Sequence, residues 1–411
     1  MSRGESVIWI VAFCRFAEAI GIGMVIPILP IFLLDLESGP TFSGFTPGEQ
    51  TGILFGCAGL AIAGVQLVAG RFSDRLDRRK VFIWGGLLLG GVCSLSFSII
   101  DHYSQLLTIR ILQGIFLGLT FSPMMAIIAY HAPQGRGGRV LGVYSTVRLV
   151  GFSSGPLVGG FMSDLAGYRA TFILSAILLF VSTAMVLAWV PEHRDPAPPG
   201  KRRRVPLVFW INASAIFLMM VGVSPVISLF PYYKSEFGAS ETQLGLCYGG
   251  FVAARCLLQY PCGLYADRLD KKWVLIGALV LFMPIVLLQG FARGMTDLIV
   301  LRVLLGAVSA AITTSAGGIA AERSPPGVRA SAMSTNTLAF SLGVSVGPVI
   351  GGLLAPPGSL LPFAIPAGAT VLVMMAVIAL VPSDRRWSSG RSESSTQPAS
   401  SAAPAQSNAP A

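Results

Sequence analysis

GRFSDRLDRRK at residues 70–80 returns as GLYADRLDKKW at residues 263–273. Both words open on a glycine, carry Asp-Arg-Leu-Asp (Asp74–Asp77, Asp267–Asp270) and close on basic residues, and Gln66 and Gln259 precede them at equal distance. Two further words keep nearly the same offset of about 192. Arg110 and Gly114 recur as Arg302 and Gly306, and GFSSGPLVGG at 151–160 recurs as GVSVGPVIGG at 343–352. Pro27 and Pro30 late in the first apolar run are answered by Pro225 and Pro231. Three words in one order at one spacing mark a duplicated unit. A parallel repeat of two membrane halves predicts a binding site at the midplane between them and access alternating from one face to the other as the halves rock.

That the unit lives in lipid follows from composition. The chain is 53% hydrophobic and 12% charged, about half the charge of an ordinary soluble domain. In water such a chain exposes large apolar patches. Segments of about 20 apolar residues are long enough to span, and twelve are predicted: 7–34, 50–70, 81–100, 105–128, 139–162, 169–190, 207–231, 243–264, 273–292, 297–320, 329–354 and 361–382. Ala17-Glu18-Ala19 imitates a cleavage site, but the apolar run continues to Leu34, so the first segment reads as an uncleaved span. The expected fold is therefore all-α and integral to the membrane, with twelve transmembrane helices in two pseudo-symmetric six-helix bundles. Residues 1–190 form the first bundle, 191–206 a Pro-rich basic cytoplasmic linker, 207–382 the second bundle, and 383–411 a Ser/Ala/Pro-rich disordered tail.

The net charge of +10 raises the question of nucleic acid, and its placement answers it. Of 29 Lys and Arg, 21 fall on the side of the termini, three (Arg169, Lys234, Arg293) on the other, and five inside spans. The positive-inside rule then makes both termini cytoplasmic. The basic charge is orientation, and no nucleic-acid partner is expected. All six cysteines lie in apolar segments without a C-x-x-C pair, as small core hydrophobes do.

The word Asp74–Lys80, with Arg75, Arg78 and Arg79, resembles the loop between the second and third spans of the major facilitator superfamily, although Asp77 stands where that pattern has Gly and Phe72 where it has Leu. Residues 106–118, with Arg110, Gln113 and Gly114, resemble the fourth-span motif of its proton-coupled members. Gly151, Gly155 and Pro156 match its fifth-span antiporter word, repeated at Gly347 and Pro348. Ile20-Gly21 followed by Pro27-Ile28-Leu29-Pro30 resembles the first-span motif of the twelve-helix drug:proton antiporter branch. The resemblance implies a proton-coupled antiporter. Gly70, Asp74, Arg75, Arg78, Arg79, Asp267, Arg268, Gly151, Gly155, Pro156, Gly347 and Pro348 would govern its conformational change. The Gly-Pro word can equally be a packing device at the interface of the halves.

Glu18 is the one carboxylate deep in a span, roughly 16 Å in at 1.5 Å per residue. Arg15 lies one turn earlier on the same face. The expected roles are proton coupling by Glu18, Arg15 and Arg110, against a static Arg15–Glu18 pair and an Arg110 salt bridge. An Arg at mid-membrane costs about 2.5–3.5 kcal/mol on insertion scales, so such residues face the protein interior. Tyr144, Arg148, Arg255, Gln113 and Asn336 are the candidates for the substrate cavity. Arg148 and Arg255 would hold an anionic group or cap a neighbouring helix.

Gly151–Gly155 satisfies G-x-S-x-G, yet its flanks are spanning helix, and no Walker loop or metal cluster appears, so no enzyme, cofactor or metal is expected. The expected function is proton-coupled efflux of small hydrophobic or cationic compounds such as drugs. The energy source is the proton gradient, and the acting unit is a monomer in the plasma (inner) membrane. Transport of a polar or anionic metabolite, or a non-transporting sensor on the same fold, are the alternatives.

Overall fold

A computed structural model of the chain describes residues 3–76, 78–131, 137–192, 205–324, 329–354 and 360–381. Most of the expected linker and all of the expected tail lie outside these residues, as do the side chains of 70–77, including Asp74 and Arg75. Among the described residues the architecture is helical, with a single bridge between Glu37 and His102. The first four spans are Arg3–Phe32, Pro47–Leu76, Arg79–Ser96 and Tyr103–His131. The fifth and sixth share the stretch Gly137–Trp189, broken at Gly167, whose φ of 80° only glycine adopts freely. The seventh is Leu207–Val223, continued by the short pieces Pro225–Ser228 and Phe230–Phe237. The eighth to twelfth are Glu241–Arg268, Lys271–Gln289, Met295–Glu322, Arg329–Leu354 and Leu361–Leu380.

Nine stretches among the described residues are long and apolar enough to cross a membrane, and one of them, Gly142–Trp189, contains two of the expected spans. The third and eighth are the two that fall short. Arg79 and Lys80 occupy the head of the third, and Glu241, Gln243, Arg255 and Gln259 dilute the eighth. Both are nonetheless packed within their bundles, the third on the fourth and sixth, the eighth on the tenth.

Sequence punctuation explains the joints. Pro225 and Pro231 have no N–H to continue a helix, and the seventh span breaks before each. Gly238, at φ 59°, closes Phe230–Phe237 in the left-handed conformation. Ser240 then starts the eighth span with a capping box. Its hydroxyl accepts from Gln243 N (3.2 Å), while Gln243 Oε1 accepts from Ser240 N (3.1 Å).

The repeated glycine word has two jobs, and they divide by helical face. Gly151 and Gly155 lie against the first span, where an added Cβ would meet Phe16 O and Ile20 O at 2.7 Å, and Gly159 lies against Met24. Their counterparts Gly343, Gly347 and Gly351 lie against the seventh span and Pro225. These contacts hold each bundle together. The last glycine of each word turns outward: Gly160 meets Glu241 and Thr242, and Gly352 meets Gly48, both across the boundary between halves.

That boundary is made by the second span on the eleventh and the fifth on the eighth. It is tight at the end opposite the chain termini, where Gly48, Gly52, Gly245 and Gly249 all admit the other half's backbone. Towards the end where Arg3 and Leu380 lie it loosens: among the described residues Gly142 and Gly263 have nothing within 4 Å of where a side chain would begin. The seam between the halves is therefore shut at the far face and parted towards the face where Arg3 and Leu380 lie, the terminus face.

Gly155→Val is expected to cost about 1–3 kcal/mol through overpacking within the first bundle, read as a lower melting temperature of the purified protein. Gly160→Val is expected to leave that temperature nearly unchanged and to raise solvent access at the far face, because its neighbour belongs to the other half.

Candidate functional site

Glu18 is 1% exposed and sits where the first, fourth and fifth spans converge. Its Oε2 accepts from Arg15 Nη1 at 2.6 Å, and its Oε1 lies 3.1 Å from the hydroxyl of Thr120, which also reaches Leu117 O at 2.8 Å. The i, i+3 spacing of Arg15 and Glu18 delivers the first bond. Thr120 arrives from the fourth span, two positions after Gly118, which lies against the second span. Buried charge in a low-dielectric setting is tolerated when its lone pairs are met; Arg15 meets Oε2, whereas Oε1 competes with Leu117 O for the single Thr120 proton. The Arg15 guanidinium lies over the Phe121 ring at 5.1 Å.

Arg148, on the fifth span, lies over the same Phe121 ring and over Phe152, at 5.2 Å each. Tyr144, one turn earlier, is buried; its hydroxyl points at Met124 Sδ (3.9 Å) and lies within electrostatic reach of Arg15, Glu18 and Arg148. Arg15, Glu18, Thr120, Phe121, Tyr144 and Arg148 thus form one cluster.

Arg110 lies outside that cluster. Its Nη1 donates to Gln113 Oε1 at 2.6 Å and its guanidinium covers Phe55 at 5.2 Å, while Gln113 Nε2 donates to Ser94 (2.8 Å). The neutral phenol of Tyr248, from the other half, lies within electrostatic reach of Arg110, Arg255 and Arg302. Arg255 lies over Phe340 at 5.1 Å. Among the described residues neither Arg148 nor Arg255 pairs with a carboxylate, and the Nε of each is buried without a partner. Both are partly exposed at mid-span, where the parted halves leave room.

Arg302, the repeat of Arg110, is 0% exposed and serves another purpose. Its Nη1 donates to Val223 O at 2.6 Å, and its Nε to Cys247 O at 3.5 Å. Val223 ends the first piece of the seventh span, so the cation meets a carbonyl orphaned by the break and the negative end of that helix. Asn336 and Asn212 both donate to Ala316 O (3.3 and 2.8 Å), which ties the eleventh and seventh spans to the tenth.

At the terminus face Lys271 pairs with Asp267 (3.4 Å) and Glu322 (3.0 Å), and Arg323 with Asp270 (3.5 Å), while Arg268 and Arg78 are exposed and Arg79 is buried. The repeated loop of the second bundle is therefore tied to the end of the tenth span. Gly70, Asp74 and Arg75, its counterparts in the first bundle, fall among the positions whose side chains lie outside the description.

A second cluster at the far face joins the halves. Asp164 accepts from Glu241 N (3.1 Å), Thr242 N (2.9 Å) and the Thr242 hydroxyl (2.5 Å), so a carboxylate of the first half caps the eighth span. Lys234 makes a close bond to Glu241 and another to Tyr168 Oη (3.1 Å). Partial burial works against both charges and the hydrogen bonds prevail. Asp164 is held below the usual carboxylate range, and Lys234 above the usual ammonium range. The Asp164 contribution is complete above about pH 4 and lost only as pH falls through its own lower value. That of Lys234 is complete below about pH 10 and lost only above its own higher value. Between roughly pH 5 and 9 neither Asp164 nor Lys234 changes charge. Nothing in the sequence marked it, because Lys234 and Asp164 read as ordinary loop charges until the halves are set side by side.

The family model described as Major Facilitator Superfamily matches residues 11–215 and again 213–407. The chain is 24% identical over 365 residues to the multi-drug resistance efflux pump PmrA of Streptococcus pneumoniae, covering 84% of this chain and 88% of that one. It is 24% identical over 361 residues to the quinolone resistance protein NorA of Staphylococcus aureus, covering 84% and 89%. Among solved structures, a bacterial homolog of the human lysosomal transporter Spinster, inward-facing and unoccupied, superposes with a TM-score of 0.72 at 16% identity, over 92% of this chain and 96% of that one. That likeness concerns the fold.

Asp164→Ala removes a cap worth roughly 1 kcal/mol. It is expected to speed amide hydrogen exchange at Glu241 and Thr242 about fivefold at neutral pH. In the unsubstituted protein the protection of these two amides, corrected for intrinsic exchange, is expected to stay flat from about pH 5.5 to 8.5.

Proposed function

The chain belongs to the Major Facilitator Superfamily, and from that premise we propose that it exports small hydrophobic or cationic compounds in exchange for protons, with Glu18 as the group that takes the proton. Membership makes it a multi-pass membrane transporter and sets it among transport proteins rather than enzymes. The observation that carries the finer reading is the setting of Glu18. Among the described residues it is the only acid buried deep in a span; one oxygen is held by Arg15 and the other only by a hydroxyl shared with Leu117 O, which leaves room for a proton.

A cation and a proton compete for one carboxylate, and by linkage that competition is exchange. When Glu18 is ionised it pairs with Arg15 and can attract a cationic or polar end of the cargo; Phe121, Met124 and Phe152 offer an adaptable apolar wall. When protonated, Glu18 loses the attraction and Arg15 loses its partner. Glu18 itself is buried in this state, and the region beside the partly exposed Arg148 and Arg255 is shut at the far face, so in this reading cargo and proton reach the cluster from the opposite face, where Arg3 and Leu380 lie. The excess of basic residues at that face supports placing it in the cytoplasm, which makes the state inward-facing, in the plasma (inner) membrane. Rocking about the two glycine seams then presents Glu18 to the outside, where protons are plentiful. The resistance proteins PmrA and NorA, at 24% identity, support export of drug-like cargo. One chain holds both halves, so the proposed working unit is the monomer, driven by the proton gradient without nucleotide.

One observation favours a second reading. Arg148 and Arg255 face the parted region with no carboxylate partner among the described residues, and such charges suit an anionic cargo. The sign of coupling then reverses. An anion beside Arg148 raises the affinity of Glu18 for a proton, so cargo and proton move together.

Glu18→Gln, reconstituted in vesicles, is expected to lose at least tenfold of its pH-gradient-driven transport while keeping gradient-independent exchange of cargo for cargo. Full proton-driven transport by this variant would sink the assignment. With the unsubstituted protein, adding cargo to the side from which it is carried is expected to move protons the opposite way. Protons moving with the cargo select the second reading.

A further inference from the structure

The far face holds a cavity of about 780 Å³ that the transport cycle above does not use. Its walls come from both halves. Thr46, Pro47 and Glu49 at the head of the second span form one side, and Tyr232, Gln289 and Phe363 of the second half form the other. A volume of this size suits a small-molecule site.

The two bundles differ here in a telling way. At the same level of the first bundle the space is filled by rings: Phe97 packs on Phe172 at 5.5 Å, and Phe172 on Phe32 at 5.1 Å. In the second bundle the end of the ninth span instead presents Gln289, 2% exposed, with neither Oε1 nor Nε2 hydrogen-bonded among the described residues. A primary amide left with both its donor and its acceptor unmet costs several times what a hydrogen bond nets, and apolar residues would fill the place more cheaply. The amide is matched to something that both donates and accepts. Around it stand aromatic surfaces, including the stacked pair Tyr233 and Phe237 (5.5 Å, 11°). Among the described residues the one charged member of the lining is Glu49, whose Oε2 is fixed by Thr46 N (2.7 Å) and the Thr46 hydroxyl (2.9 Å) and which pairs there with no cation.

We propose that this cavity is a second ligand site, separate from the central one, for an aromatic organic cation bearing a carboxamide-like group. Gln289 exchanges two hydrogen bonds with that group, the rings enclose the flat body, and Glu49 balances the charge. Because Glu49 belongs to the first half and Gln289 to the second, an occupant bridges the seam closed by Gly48 and Gly352 and holds the far face shut. The site is thus regulatory, and it stands whether or not Glu18 carries the proton.

The test uses the full chain in lipid nanodiscs and two probes, 1-benzyl-3-carbamoylpyridinium and 1-benzylpyridinium, titrated calorimetrically. The carbamoyl cation is expected to bind about tenfold tighter than its parent. Gln289→Leu is expected to erase that preference, and Glu49→Gln to weaken both cations several-fold. Bound probe is expected to slow amide exchange at residues 48–50. Gln289→Glu, which keeps the shape and adds charge, is expected to bind the parent cation tighter than the unsubstituted protein does, so the question stays decidable if the leucine variant does not fold. Equal affinities for the two probes, or a carbamoyl preference that survives Gln289→Leu, would overturn the proposal. So would binding that is lost in Glu18→Gln instead, which would put the probe in the central cavity.

Discussion

Inside a bilayer no polar group can turn to water, so every charge and every broken backbone bond must be answered by the protein itself. Much of this structure follows from that constraint. Glu18 survives at mid-membrane because Arg15 meets one oxygen and the Thr120 hydroxyl, shared with Leu117 O, lies beside the other. The seventh span can break at Pro225 because Arg302 takes up the carbonyl of Val223. Arg15, Arg110, Arg148, Arg255 and Arg302 each lie over an aromatic ring at about 5 Å. A ring face is the answer available where carboxylates are scarce, worth up to about 2 kcal/mol once desolvated. That falls short of the insertion cost of an arginine, which is why those without a further partner are the ones that face the parted region.

The duplication supplies the same scaffold twice, and function enters where the copies diverge. The glycine words pack alike, first span on fifth and seventh on eleventh. Arg110 and Arg302 occupy equivalent places, yet one binds a side-chain amide and the other braces a helix end. The first bundle carries the deep acid. The second carries the broken span, the latch lysine and the orphaned amide of Gln289.

Much of this was legible in the residues. Hydrophobic run lengths and the repeat give the twelve spans and their pairing, because both depend on local composition and on register along the chain. The Arg15–Glu18 contact was readable too, since three residues along a helix fix it. The partners of Arg110 were not. A long side chain on one span finds its partner according to how neighbouring helices are rotated, and sequence spacing says nothing of that rotation. Thr120 was missed for the same reason, and so was the capping of the eighth span by Asp164, 77 positions away. The glycine word was readable as packing, but its split between a contact within the bundle and a contact across the seam needed the neighbours in place.

The far-face latch has one more property. Each of its members sits beside a joint. Asp164 and Tyr168 flank the turn at Gly167, Lys234 rides on the short piece between the break after Leu229 and the left-handed Gly238, and Glu241 begins the helix just beyond. A clasp borne on jointed ends can be undone by turning two knuckles, without first swinging the long helices behind them. Unfastening and rocking are then separate motions in time. The far face can then loosen its clasp while the helices behind it still hold the opposite face parted.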